Sequence, residues 1–168
     1  KAFVVFVTAG YPSLGITEKL VREFAVRGVD IVELGVPFSD PMADGPVIQE
    51  ASRFALRRGI NLSRILKSVR NIRRHTKIPI CLMTYYNPIF SFGEERFIRN
   101  ASFSGVDGVI IPDLPPEESS SLLKLSRKYN LDVICFISPT TKTRRIKHIA
   151  RISRGFIYYI SLTGVTGV

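Results

Sequence analysis

Long hydrophobic runs are missing from this sequence of 168 residues. Apolar stretches such as 3–7 and 133–137 are far shorter than the ~20 residues that a membrane-spanning helix requires, and they predict a protein without membrane contact. The sequence also lacks a basic segment followed by an extended apolar stretch and a small-residue cleavage site. We therefore expect no secretion signal and a cytoplasmic location.

Cysteine is scarce, with Cys81 and Cys135 as the two examples. Each lies inside an aliphatic or β-branched run, where a cysteine usually behaves as a small buried hydrophobe. This interpretation is favoured over a disulfide or a metal ligand, and we expect no metal site. Two unpaired thiols are consistent with a reducing compartment.

Acidic residues are few, since 14 carboxylates face 24 lysines and arginines and the net charge is +10. One hypothesis is therefore a basic α/β domain that binds nucleic acid, with a steep salt dependence. However, the cations between Arg53 and Arg74 alternate with apolar residues at helical spacing, which is typical of a solvated helix face. Helix-turn-helix, zinc-finger and aromatic RNA-binding patterns are all missing. We expect no nucleic-acid partner.

The sequence instead shows a regular alternation of short β-branched runs and amphipathic segments. Strands are predicted to begin near Phe3, Asp30, Ile78, Asp107, Asp132 and Phe156. The first helix should follow Ser13 or Thr17 and stop at Gly28. Further helices are predicted over 47–58, 62–75, 94–104, 117–129 and 143–153, with the first two of these forming an insertion between the second and third strands.

The strands read as continuous apolar runs, which predicts a parallel sheet buried on both faces. Such a sheet belongs either to an open doubly wound fold or to a β/α barrel, and periodicity alone does not decide. TAGYPS follows the first strand, in place of the G-x-G-x-x-G of a nucleotide-binding sheet. Polar and glycine-rich residues follow several other strands, and this favours a barrel whose strand ends form one rim.

Glu33 is the first candidate for chemistry, because it lies near the end of the apolar run IVELG. Burial there would raise its pKa towards neutrality, as a general acid or base requires. Asp40 and Asp44 follow on a loop shaped by proline and glycine. The competing interpretation is structural: Glu33 would pair with a buried cation, and the two aspartates would only form turns.

The fourteen residues ELGVPFSDPMADGP, Glu33–Pro46, closely resemble the signature of the tryptophan synthase α-subunit family. Agreement continues through FVTAGYP, LMTYYNP, GVDGVIIPDLP and SLTGVTG, and so covers essentially the whole sequence. The resemblance implies a (β/α)8 TIM barrel that cleaves indole-3-glycerol phosphate to indole and glyceraldehyde 3-phosphate. It implies no cofactor in this subunit, but a β-subunit partner that uses pyridoxal phosphate, in an αββα complex.

The resemblance also assigns roles to individual residues. Glu33 matches the general acid/base, and Asp44 matches the carboxylate that hydrogen-bonds the indole N–H. The positions that match the substrate pocket or its mobile loop are Phe6, Tyr85, Ile110, Tyr158 and Thr166. For the pocket positions, plain barrel core is the competing interpretation. Asp113 and Asn87 match rim positions involved in subunit contact and in shaping the site.

Some parts of the family pattern are not found within residues 1–168. These are the lead helix before the first strand and the last two strand–helix units, which carry the phosphate-binding loops. We therefore interpret 1–168 as a single partial barrel domain with about six of the eight strands. An alternative function is a non-catalytic barrel that activates a β subunit; intact Glu33 and Asp44 favour the enzyme.

Overall fold

The computed structural model describes residues 1–161, and within them six parallel strands form one sheet in the order β1 to β6. The strands are β1 (Val4–Thr8), β2 (Ile31–Gly35), β3 (Ile80–Met83), β4 (Gly108–Ile110), β5 (Asp132–Ile137) and β6 (Ile157–Tyr159). The predicted strands and their parallel arrangement are confirmed. Each strand pairs with its neighbours in sequence, as in a β/α barrel.

Seven α-helices lie between these strands within residues 1–161. They are α1 (Leu14–Val26), α2 (Pro46–Arg57), α3 (Leu62–Arg73), α4 (Tyr86–Phe92), α5 (Glu94–Ser104), α6 (Ser120–Lys128) and α7 (Thr143–Ile152). The insertion of two helices between the second and third strands is confirmed as α2 and α3. None of the helices in this part of the chain is long and apolar enough to cross a membrane.

The first helix shows how local sequence sets its limits. Ser13 precedes α1, and its side-chain hydroxyl accepts a hydrogen bond from the Ile16 N–H group, which satisfies one of the free donors of the first turn. Gly28 follows the helix with a φ of +81°, a conformation that other residues rarely adopt. Both ends agree with the prediction.

Two helical predictions need correction. The segment 117–129 is divided into a 3₁₀ turn at Pro116–Glu118 and the shorter helix α6. The helix α4 was missed, because TYYNP reads as a loop. Pro88 lies in the first turn of α4, where a missing N–H group costs nothing, and so does not break the helix.

The two faces of the sheet are buried in different ways. Side chains such as Val32, Leu34, Ile80 and Leu82 belong to the large apolar cluster between the sheet and the helices. Cys81, Ile110 and Ile134 form a smaller cluster with partly buried neighbours that include Tyr158. Because neighbours in register lie on the same face, this second cluster defines the interior face of a half-barrel.

Candidate active site

Glu33 lies on the interior face of the sheet, in the middle of β2. Its neighbours in register are Phe6 on β1 and Cys81 on β3. Only 2% of Glu33 is exposed to solvent. A carboxyl group at this position is expensive to ionise unless a cation or hydrogen-bond donors compensate for the lost water.

The surroundings of Glu33 supply no such compensation. Its Oε1 atom is buried and accepts no hydrogen bond within the described part of the chain. The ion pairs formed among residues 1–161 do not include Glu33. Burial raises its pKa from 4.5 to about 7. The structural interpretation, in which Glu33 pairs with a buried cation, therefore finds no support in these residues.

The loop from Val36 to Gly45 brings Asp44 to the rim of the half-barrel, next to β3. At one end, the Val36 N–H group donates to the Met83 carbonyl oxygen at 2.8 Å. At the other end, Gln49 Nε2 in α2 donates to the carbonyl oxygen of Asp44, also at 2.8 Å. The loop is thus attached on both sides of its proline and glycine residues, and the Asp44 side chain is partly buried.

Tyr85 connects this loop to the end of β3. Its hydroxyl oxygen accepts a hydrogen bond of 2.9 Å from the Ala43 N–H group, and its ring lies 5.3 Å from that of Phe38. Burial raises the pKa of Asp44, and hydrogen bonding by the Tyr85 hydroxyl opposes the shift. Burial is also the main cause that raises the pKa of Tyr85 to about 12, so this phenol stays protonated beside Asp44.

The predicted site residues that the structure describes fall into two groups around the interior. Phe6, Asp44 and Tyr85 line a small cavity of about 20 Å³ at the rim. Ile110 is fully buried in the interior cluster. Tyr158 packs against the same cluster, and its pKa is raised by burial and by the nearby charge of Glu33. Thr166 lies outside the described residues.

The two predicted rim residues have local partners. Both carboxylate oxygens of Asp113 accept hydrogen bonds from the Tyr86 N–H group, at 2.9 and 3.1 Å. This N–H belongs to the first turn of α4 and has no partner in the helix, so Asp113 fixes the start of α4 beside Tyr85. Asn87 Oδ1 accepts a hydrogen bond from Ser91 one turn later. Their part in subunit contact stays a prediction.

Sequence reasoning missed two features of the site. The first is the hydroxyl of Tyr85, which was predicted only to line a pocket but also binds the Asp44 loop. The second is the position of Cys81 next to Glu33 on the interior face. Residue types alone could not locate either contact, because both depend on which strands lie side by side. Among the described residues, no group of three His, Cys, Asp or Glu side chains could hold a metal ion.

Comparison with known proteins decides the family. The model of the family "Tryptophan synthase alpha chain" matches residues 1–168. The chain belongs to this family. The tryptophan synthase alpha chain of Geobacter sulfurreducens is 54% identical over 167 residues, and that of Geotalea uraniireducens is 52% identical. Each alignment covers 99% of the present chain.

Solved structures of the family share the fold described above. The tryptophan synthase alpha chain of Legionella pneumophila has a TM-score of 0.91 and 39% identity over 96% of this chain. A structure of the tryptophan synthase α2β2 complex from Pyrococcus furiosus has a TM-score of 0.91 and 37% sequence identity, and the match covers 97% of this chain. The predicted membership in a TIM-barrel family is confirmed. The chain spans 62–63% of the length of the two bacterial relatives.

Proposed function

We propose that this chain carries the catalytic carboxylates of a tryptophan synthase α subunit. The full-length protein would cleave indole-3-glycerol phosphate to indole and glyceraldehyde 3-phosphate by a retro-aldol reaction, as a carbon–carbon lyase. The main support is the state of Glu33: a buried carboxyl on the interior face, with an unpartnered oxygen and a pKa near neutrality. A general acid/base works best when its pKa lies near the working pH.

Glu33 can serve both proton transfers of this reaction. In its protonated form it delivers a proton to C3 of the indole ring, which becomes an indolenine with a positively charged nitrogen. The resulting carboxylate then removes the proton from the glycerol hydroxyl next to the bond that breaks. The electrons of that carbon–carbon bond return to the ring, so the products are indole, the aldehyde and a Glu33 that is protonated again.

Asp44 would stabilise the charge that develops on the indole nitrogen. Its carboxylate lies at the rim on a loop that is attached to β3 and α2, so it can meet the ring edge without a large rearrangement. A preorganised charge in a partly buried site stabilises a transition state more strongly than one in water. The two carboxylates would therefore have different tasks: Glu33 moves protons, and Asp44 supplies negative charge at the indole nitrogen.

The apolar part of the substrate needs a surface between these groups. Phe6 is next to Glu33 in register, and Tyr85 lies beside Asp44, so both rings are suited to contact the indole. Tyr158 is near enough for the Glu33 charge to influence its pKa. Ile110 would form the apolar floor of the interior, and Thr166 would reach Asp44 from its loop, as the family resemblance implies.

We further propose that the full-length protein works with a β subunit in an αββα complex. One structural relative is an α2β2 tryptophan synthase complex. In this chain, the exposed large apolar side chains on the segments that follow β2 and β3 include Met42, Val47 and Phe90. A partner could cover them. Pyridoxal phosphate would belong to that β subunit, and the two free thiols fit a cytoplasmic location.

The alternative, a barrel that only activates a β subunit, has no observation in its favour. A purely structural barrel gains nothing from a buried carboxyl without partners, because such a group lowers stability whenever it ionises. An isosteric amide or an aliphatic residue would fill the same space at lower cost.

The function is tested by Glu33→Gln in the full-length protein. The amide keeps the size of the side chain but cannot exchange the proton, so cleavage should fall by about 10²–10⁴-fold, as for a lost general acid/base. The KM should change much less. Glu95→Gln is the matched control, since Glu95 is exposed and pairs with Lys128 on the outer surface. If a folded Glu33→Gln protein kept near-normal cleavage, the assignment of Glu33 would be wrong.

A further inference from the structure

Cys81 is a buried side chain that the proposed reaction does not use. It lies on β3 directly beside Glu33, on the interior face of the sheet, and only 4% of it is exposed. On its other side, the neighbour in register is Gly108 on β4. The thiol therefore stands between the carboxyl-bearing strand and a strand position that has no side chain.

Gly108 has no side chain, and neighbouring side chains occupy the space next to it. A Cβ atom at residue 108 would lie 3.3 Å from the sulfur of Cys81 and 2.6 Å from Cδ1 of Ile134. The sulfur and this methyl group thus occupy the space that another side chain would take. The register neighbour of Glu33 on β3 is therefore a thiol backed by hydrocarbon, and neither of these hydrates or strongly hydrogen-bonds a carboxylate.

Glu33, the neighbour of Cys81 on β2, has an oxygen without a partner in the described part of the chain. Oε1 is buried, and no donor among residues 1–161 reaches it, although a water molecule or a hydroxyl on the β3 side would satisfy it. We propose that Cys81 is a positioning residue for Glu33, and that its thiol keeps water and hydrogen-bond donors away from the carboxyl group. The role of Glu33 in cleavage belongs to the proposed function, whereas this control of its titration does not depend on it.

Other ionisable groups near the interior do not replace Cys81 in this role. β1 contributes Phe6 and no ionisable group beside Glu33; β4 contributes Gly108, with Asp107 just before it. Among residues 1–161, the remaining ionisable groups around the interior are Asp132 on β5, Tyr158 on β6, and Asp44 and Tyr85 at the rim. Each of these is an acid, so none supplies a positive charge. The thiol stays neutral, because burial and then the charges of Glu33, Asp107 and Asp132 raise its pKa to about 12.

The second cysteine provides a matched control. Cys135 is also buried, but it belongs to the large cluster between sheet and helices, on the opposite face of the sheet from Glu33. Its N–H group donates to the Ser153 hydroxyl at 3.2 Å. A serine at position 135 should cost stability as any polar change in a core does, but it should leave Glu33 untouched.

The experiment measures the titration of Glu33 directly. Full-length protein is prepared with ¹³C-labelled glutamate, and the Glu33 signal is identified as the one that Glu33→Gln removes. Cys81→Ser puts a hydroxyl donor on the β3 neighbour of Glu33, and Cys81→Ala opens room for water. Hydrogen bonding to the charged form favours ionisation, so the midpoint should fall by ~1 pH unit or more in either variant. Cys135→Ser should leave it unchanged.

The outcomes separate this inference from the proposed function. An unchanged midpoint in folded Cys81→Ser or Cys81→Ala protein would overturn the role of Cys81, even if Glu33→Gln abolishes cleavage. A midpoint that falls equally in Cys135→Ser would overturn it as well, since the effect would then be general loosening. A lower midpoint in the Cys81 variants alone supports the inference. If cleavage then keeps its original pH profile, the failure lies with the proposed function.

Discussion

The raised pKa of Glu33 should be visible in the stability of the protein, without any substrate. The folded carboxyl titrates at about 7, and the ordinary value is 4.5. Between these values the folded state keeps a proton that the unfolded state has lost, so the free energy of unfolding must fall as the pH rises. At ~1.36 kcal/mol per pH unit, the loss amounts to about 3 kcal/mol and is complete above about pH 7.

Glu33→Gln removes this loss, because an amide does not titrate. Urea unfolding of both full-length proteins at a series of pH values gives the difference in their free energies of unfolding. That difference should move in favour of the glutamine variant by about 3 kcal/mol between pH 4 and pH 8, with most of the change between pH 5 and 7. The constant cost of burying an amide cancels in this comparison, as do all other titrating groups.

The control for this measurement is Glu95→Gln. A hydrogen bond from Lys128 is the first of the causes that lower the pKa of Glu95, so its stabilising effect is present at neutral pH and is lost as the pH falls. The pH trend should therefore have the opposite sign, and it should be small, since Glu95 is exposed. If the Glu33→Gln difference stayed constant with pH, or followed the Glu95 trend, Glu33 would be compensated in the folded state and our reasoning would be refuted.

Two further substitutions test the geometry of the rim. In Tyr85→Phe the Ala43 N–H group loses its acceptor, and Asp44 loses a hydrogen bond that lowers its pKa. We therefore expect the titration midpoint of Asp44 to rise in an NMR titration and cleavage to fall about tenfold. An unchanged midpoint would contradict the contact between Tyr85 and Asp44. In Gly35→Ala the new Cβ would lie 2.4 Å from the Phe6 ring, which should cost about 1–3 kcal/mol in urea unfolding. Adding Phe6→Val should recover part of that loss, and strictly additive effects would rule out the clash.

Much of the fold could be predicted from local sequence, because its signals are local. Ser13 and Gly28 mark the two ends of α1, and the apolar run of β2 predicts a strand buried on both faces. The helix α4 could not be predicted in this way. Its first N–H group is satisfied by Asp113, which lies 27 residues further along the chain. A helix whose start depends on a distant side chain carries little signal in its own residues.

In the candidate site, too, some features could be predicted from the sequence and others depend on contacts between distant residues. Glu33 and Asp44 could be named from the sequence, through their strand-end position and the family resemblance. The lack of a partner for Glu33 could not be predicted from the sequence, because it depends on the strand register that places Cys81 and Phe6 on either side. A shift of one residue in that register would turn the carboxyl towards the helices. Which groups surround a buried charge is thus decided by strand pairing.

The charge of the protein makes the isolation of Glu33 more informative. With a net charge of +10, a cation for this carboxylate would be easy to supply. Among residues 1–161, however, the ion pairs involve partly or fully exposed carboxylates such as Glu95 and Glu117. Arg73, whose side chain is 19% exposed, is the last residue of α3, and its guanidinium pairs with Asp107 just before β4. A cation beside Glu33 would lower its pKa and hold it ionised at neutral pH. The separation of the cations from the interior therefore preserves a carboxyl group that can both give and accept a proton.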